Sequence, residues 1–134
     1  MPGVREMLAG LHARGVQQAV GSSAPRGNLD LILRLTDSRH YFDAIVGMED
    51  TQRGKPDPQV FLVAAEKLGV PPGRCVVFED AVAGVEAAKA GGMKCVAVTF
   101  VGHHPAEKLR AAGADRVVKS FSELSPDDVI GLLH

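Results

Sequence analysis

Three short segments carry residue types that could handle phosphate. Gly21-Ser22-Ser23 follows an apolar, β-branched run and precedes Pro25. Small hydroxyl residues between a strand and a helix can present a hydroxyl and free N–H groups to an anion. A simple turn whose serine caps the next helix uses the same residues. Arg53-Gly54-Lys55-Pro56-Asp57-Pro58 sets Lys55 on a stiff turn directly before a helical pattern. A lysine held in that way suits a phosphate counter-charge, and a solvated loop lysine is the plain alternative. Glu79-Asp80 closes a third apolar run and opens the small-residue stretch 81–90. Adjacent carboxylates there offer hard oxygens to Mg²⁺, although a helix-capping aspartate beside a solvated glutamate has the same signature. Thr99 and the Gly102-His103-His104 loop follow a fourth run, but neither histidine has a metal-like partner at helical spacing. Each signal is weak alone. A serine, a lysine and an acidic pair at the ends of three successive runs, in that order, form a more specific set.

The elements that must position this set alternate along the chain. Val4, Met7, Leu8 and Leu11 mark a first helix stopped near Gly15; Leu29, Ile32 and Leu33 mark a second. Phe61, Ala64, Ala65 and Leu68 mark a third, with Asp57 as N-cap, Pro58 in the first turn and Gly69 as C-cap. Further helices are expected over 82–90, over 105–112 and from Ser125-Pro126 to Leu133, the last with Asp128 completing a capping box. Between them, 16–21, 44–47, 75–78, 95–99 and 116–118 are short apolar runs without alternation, as in strands buried on both faces. Such a chain is α/β, with a Rossmann-like parallel sheet flanked by helices. Ligands in such folds sit at the carboxyl ends of the strands, which is where the informative residues fall.

Composition narrows the function. The 134 residues suit one domain, and 46% hydrophobic with 23% charged is ordinary for a globular core. A net charge of −1, one tyrosine and no tryptophan leave no basic footprint or stacking platform, so no nucleic-acid partner is expected. No membrane partner is expected either, since no apolar run approaches a span and no signal peptide opens the chain. Cys75 and Cys95 have no metal spacing; as openers of adjacent strands in apolar runs they are expected to be two buried, reduced thiols, and the location cytoplasmic.

At this point the sequence resembles the haloacid dehalogenase-like hydrolase superfamily, in the branch of β-phosphoglucomutase and phosphoglycolate phosphatase. The resemblance is carried by Pro2-Gly3-Val4 with Leu8 and Leu11, Val20-Gly21-Ser22-Ser23, Gly54-Lys55-Pro56-Asp57-Pro58, Val77-Phe78-Glu79-Asp80-Ala81 through Gly84 to Gly92-Met93, and Gly113-Ala114-Asp115. It implies a phosphatase or phosphomutase acting on a small phosphorylated metabolite. Ser22 would hydrogen-bond the transferring phosphoryl group, with Ser23 offering its amide. Lys55 would neutralise phosphoryl oxygens. Asp80, with Glu79, would help hold Mg²⁺. This agrees with phosphoryl transfer, in which catalysis is positioning plus charge neutralisation.

One part of the family pattern is not found among the 134 residues: a strand ending in Asp-x-Asp, whose first aspartate is the nucleophile. Asp127-Asp128 opens a helix and Asp43 precedes a strand. The expectation is therefore a partial core domain over 1–134, without a cap, resembling a C-terminal piece with Met1 inside a motif that sits mid-chain in the family. Only seven residues separate Gly47 from Lys55, so no cap fits there either. Without the nucleophile the chain alone is expected to be weakly active or inactive, and Mg²⁺ to bind weakly. The family-like strand order would be 5-4-3-gap-1-2. Open edges expose unpaired backbone groups, so the gap is expected to close by pairing of strands 1 and 3, or to be filled by a homodimer partner or a missing N-terminal segment. The alternative to an enzyme piece is a non-catalytic, self-associating or partner-binding remnant of the same fold.

Overall fold

The computed structural model describes residues 2–134; Met1, and with it the expectation about the start of the chain, lies outside the described residues. Six helices and five strands follow the expected alternation: α1 Val4–Ala13, β1 Ala19–Gly21, α2 Arg26–Leu35, β2 Ala44–Val46, α3 Gln59–Leu68, β3 Val76–Glu79, α4 Val82–Ala90, β4 Lys94–Val98, α5 Ala106–Ala111, β5 Arg116–Val118 and α6 Pro126–Gly131. Local chemistry explains the boundaries. Asp57 accepts the Gln59 amide at 3.0 Å, and Gly69 ends α3 with φ 69°, a left-handed value glycine adopts without Cβ strain. Ser125 and Asp128 form the expected capping box. In α2, Leu29 and Leu33 are buried but Ile32 is exposed: only the i, i+4 pair of that stripe faces the core.

All strand pairs are parallel, but they form two sheets, β1-β2 and β3-β4-β5. One aspartate sets the register in each. Asp43, just before β2, donates its amide to Gln18 O (2.7 Å) and accepts the Gln18 amide (2.9 Å). Asp115, just before β5, does the same with Cys95, at 2.8 Å in both directions. Gln18 also ties α1 to this edge, donating to Leu8 O at 2.9 Å.

Helices cover both faces. One core joins both sheets through Val46, Val77, Cys95 and Ala97, packed against α3, α4 and α5. A second, on the opposite face, gathers Met7 and Leu11 of α1, Val96 and Val98 of β4, and Val129 of α6.

Of the two alternatives for the gap, closure of strands 1 and 3 does not occur. β1 and β3 face each other across a cavity of ≈ 580 Å³ without pairing. Met7, Leu8 and Leu11 of α1 line it from one face, and Phe61, Ala64 and Ala65 of α3 from the other. These helices are packed against the sheets on either side, so drawing the strands together would unpack both cores at once. The strand order is thus 5-4-3, cavity, 1-2.

Candidate functional site

β1 and β3 deliver their C-terminal residues to one end of the cavity. At that end Lys55, from the loop between β2 and α3, forms an ion pair with Glu79, the last residue of β3. The pair is largely shielded, with the Lys55 side chain 21% and the Glu79 side chain 10% exposed. The peptide between Lys55 and Pro56 is cis. Lys55 Nζ lies 5.0 Å from the centroid of the Phe61 ring, within cation–π range. An ammonium has three donors, and Glu79 is the one acceptor of Lys55 among the described residues.

Glu79 is held on its other side as well. Its Oε2 accepts the amides of Asp80 (3.1 Å) and Ala81 (3.3 Å), the first free N–H groups ahead of α4. A carboxylate is favoured there by the helix dipole and by the unpaired donors. The fold makes room for it at Gly84, where a Cβ would stand 2.0 Å from Glu79 Cδ and 2.2 Å from Oε2. Only glycine leaves the carboxylate in place.

Ser22 follows β1. Its amide donates to Val46 O (3.0 Å), and its Oγ accepts the Ala24 amide (3.1 Å), so the hydroxyl proton is left to donate elsewhere. The link to Lys55 runs through Phe61, whose ring edge is 3.3 Å from where a Cβ of Gly21 would lie. Ser23 is exposed, and its amide makes no hydrogen bond among the described residues. Asp80 is exposed, and its carboxylate likewise accepts none. Of the five expected residues, then, Lys55 and Glu79 touch, and Asp80 adjoins Glu79 through its amide; Ser22 and Ser23 follow β1 with no contact to the pair among the described residues.

Mg²⁺ finds oxygens of the right kind here but too few. Both Glu79 oxygens are engaged, Asp80 is free, and no third His, Cys, Asp or Glu completes a metal-binding group among the described residues. The two thiols stand apart from this chemistry. Burial, with the charges of Glu79 and Asp115 added, pushes Cys95 up to about 12, and burial raises Cys75. Cys95 is fully buried as expected, but Cys75 is only half-buried, because it precedes β3 at the cavity rim; both are free.

Sequence reasoning assigned no site role to two participants. Phe61 reads as an ordinary member of the α3 stripe, and nothing in its spacing marks it as a platform for Lys55. Gly84 does carry a signal, a glycine inside an alanine-rich helix, where it costs helix stability unless packing requires it.

Parallel strands flanked by helices, with a lysine, a serine and acidic residues at their carboxyl ends, define an α/β domain built to hold an anion. Comparison with known proteins says which kind. A family model for haloacid dehalogenase-like hydrolases matches residues 1–92. A phosphorylated carbohydrates phosphatase of Thermotoga maritima is 35% identical over 132 residues, covering 98% of this chain and 58% of that protein. Hexitol phosphatase B of Escherichia coli is 37% identical, with the same coverage of each, 98% and 58%. The crystal structure of a β-phosphoglucomutase from Clostridium difficile superposes with a TM-score of 0.85 at 26% identity, covering 99% of this chain and 56% of that one. The chain belongs to the haloacid dehalogenase-like hydrolases, in the branch that resembles β-phosphoglucomutase, and it spans less than two thirds of these relatives. No helix among the described residues is long and apolar enough to cross a membrane.

Proposed function

We propose that this chain supplies the phosphate-holding half of a phosphoryl-transfer site that acts on a small phosphate ester. The observation that carries the reading is the shielded Lys55–Glu79 pair at the end of β3, whose lysine keeps donors to spare, with the Ser22 hydroxyl at the end of β1 also left a donor. Lys55 binds and neutralises phosphoryl oxygens, Ser22 donates a hydrogen bond to the same group, and Glu79 fixes the lysine against the start of α4. Asp80 would offer one carboxylate to Mg²⁺, and the remaining ligands would have to come from outside the described residues. That ion supplies charge neutralisation when bound. An Asp-x-Asp strand is not among these residues, so the chain by itself binds phosphate better than it turns substrate over. Two free thiols suit a reducing compartment such as the cytoplasm.

The test is ³¹P-detected binding of inorganic phosphate together with Mg²⁺-dependent hydrolysis of an aryl phosphate, with Lys55→Ala in parallel. Saturable phosphate binding that is lost in the variant, with little turnover in either protein, is the expected result. Phosphate binding that Lys55→Ala leaves intact would overturn the reading.

A further inference from the structure

The loop that carries Lys55 has little packing of its own to fix it. Gln52, Arg53 and Gly54 are exposed, and neither backbone group of Lys55 bonds another backbone group among the described residues. An ammonium on four methylenes, carried by such a loop, sweeps a wide volume. Its place on Glu79 therefore needs a constraint from elsewhere.

The constraint comes from α3. Val60 and Phe61, 2% and 7% exposed, lock the first turn of that helix into the core. Gln59 precedes them, and its Oε1 accepts two consecutive loop amides, Gln52 N and Arg53 N, both at 2.8 Å. Both partners are donors, so the side-chain amide has one orientation, with its oxygen toward the loop. The Gln59 backbone amide donates to Asp57 Oδ1, and the Asp57 amide donates to Gly54 O, each at 3.0 Å. Lys55 is thus bracketed: residues 52–53 before it and the turn 54–57 around it are both tied to the start of α3. The Arg53–Asp57 ion pair, at 3.7 Å, adds little, because the Arg53 side chain is 71% exposed.

A cap of α3 would be the ordinary use of a polar side chain at this position. Gln59 does not serve that use, since both bonds of its oxygen go out to the loop and none to its own helix. Two residues further on, Phe61 sets its ring 5.0 Å from Lys55 Nζ. One helical turn therefore fixes both the backbone of the lysine loop and the ring beside its ammonium.

We infer, on the phosphoryl-transfer reading of Lys55, that Gln59 is a positioning residue for that lysine. By holding the Gln52 and Arg53 amides it fixes the loop from which Lys55 reaches Glu79 and an incoming phosphoryl group. It acts through the loop and bonds neither Lys55 nor Glu79 among the described residues. Without its oxygen the two amides turn to water, the loop gains freedom, and the ammonium spends less time at Glu79.

The experiment compares the parent chain with Gln59→Ala, which removes the acceptor, and Gln59→Glu, which keeps an oxygen at the same reach. Acetylation by succinimidyl acetate, read residue by residue by mass spectrometry, follows Lys55 against Lys89, which is ion-paired at the opposite end of the strands. In Gln59→Ala, Lys55 should react at least about tenfold faster relative to Lys89, and in Gln59→Glu at the parent ratio. Affinity for inorganic phosphate should fall about tenfold in Gln59→Ala. The Gln52 and Arg53 amides should exchange at least about tenfold more slowly in the parent than in an unstructured chain, and lose that protection in Gln59→Ala. An unchanged Lys55 ratio, a rise in reactivity shared equally by Lys89, no rescue by Gln59→Glu, or a parent-like phosphate affinity in Gln59→Ala overturns the inference. If Gln59→Ala does not fold, the other two proteins decide. Protected Gln52 and Arg53 amides with a parent-like Lys55 ratio in Gln59→Glu support the role, and unprotected amides in the parent overturn it. A parent that binds no phosphate sinks the phosphoryl-transfer reading instead, and the acetylation ratio still reads whether Gln59 holds Lys55.

Discussion

Two lysine–carboxylate pairs stand at opposite ends of this fold. Lys55–Glu79 lies beyond the C-terminal ends of β1 and β3, and Lys89–Asp115 at the N-terminal ends of β4 and β5. Their chemistry is the same, and their settings are not. Asp115 bonds Lys89 at 2.8 Å and both backbone groups of Cys95, so it holds a helix and two strands in register. Burial opposes its ionisation, but the Lys89 ammonium and the Cys95 amide outweigh that and hold its pKa below the usual carboxylate range. Glu79 joins a loop lysine to a helix start, beside an open cavity. In an α/β fold the amino ends of the strands are free to be stitched for stability, while the carboxyl ends meet helix N-termini and collect ligands. The difference is one of position rather than of residue type.

The largest effect expected from breaking this contrast is in Lys55→Ala, which should weaken phosphate binding by about two orders of magnitude or abolish it, as loss of a preorganised charge does. Lys89→Ala should leave phosphate binding unchanged. Isothermal titration with inorganic phosphate on both variants reads this directly, and equal losses would erase the distinction. Gly84→Ala should come next. Its Cβ evicts the Glu79 carboxylate, at a cost of about 1–3 kcal/mol in stability, and weakens phosphate binding by freeing Lys55. Urea unfolding and the same titration should show both losses; a stable variant with normal binding would deny Gly84 its role.

Asp115→Ala should cost stability alone, about 1–3 kcal/mol, because the Cys95 amide loses its acceptor. Acid should erode the structural carboxylates in the same sense. Asp115 and Asp50 both have lowered pKa values, Asp50 to about 2 through Arg26 and the Gly47 amide. A depressed folded pKa means that the stabilisation is present above the ordinary value of 3.8 and is lost as pH falls toward about 2. Urea midpoints measured from pH 5 down to 2 should therefore decline, and Asp115→Ala should flatten part of that slope. The smallest effect concerns the thiols. Cys75, half-buried at the rim, should react with a maleimide well ahead of Cys95, which is raised to about 12; mass spectrometry of the first adduct checks the order.

Much of this is legible in the sequence. Strand 116–118 and helix 82–90 lie where their apolar runs and glycines put them, and Ser22, Lys55 and Glu79 fall at strand ends because an alternating chain allows little else. The first strand is shorter than its apolar run, beginning at Ala19 rather than Val16, because pairing and not composition sets its length. The occupation of Glu79 was not legible, since a carboxylate beside another reads equally as metal ligand, cap or ion-pair partner.

The sequence by itself determined which segments are helix or strand, and that the polar residues of interest follow strands, because periodicity and capping are local properties of the chain. Only the tertiary structure decided that β1 and β3 stay apart, that Glu79 turns to Lys55 and the start of α4, and that Gly84 leaves room for its carboxylate. Each depends on helices far apart in sequence packing against a shared core. Such packing fixes the separation of two strands and the space around one carboxylate through contacts that no local pattern encodes.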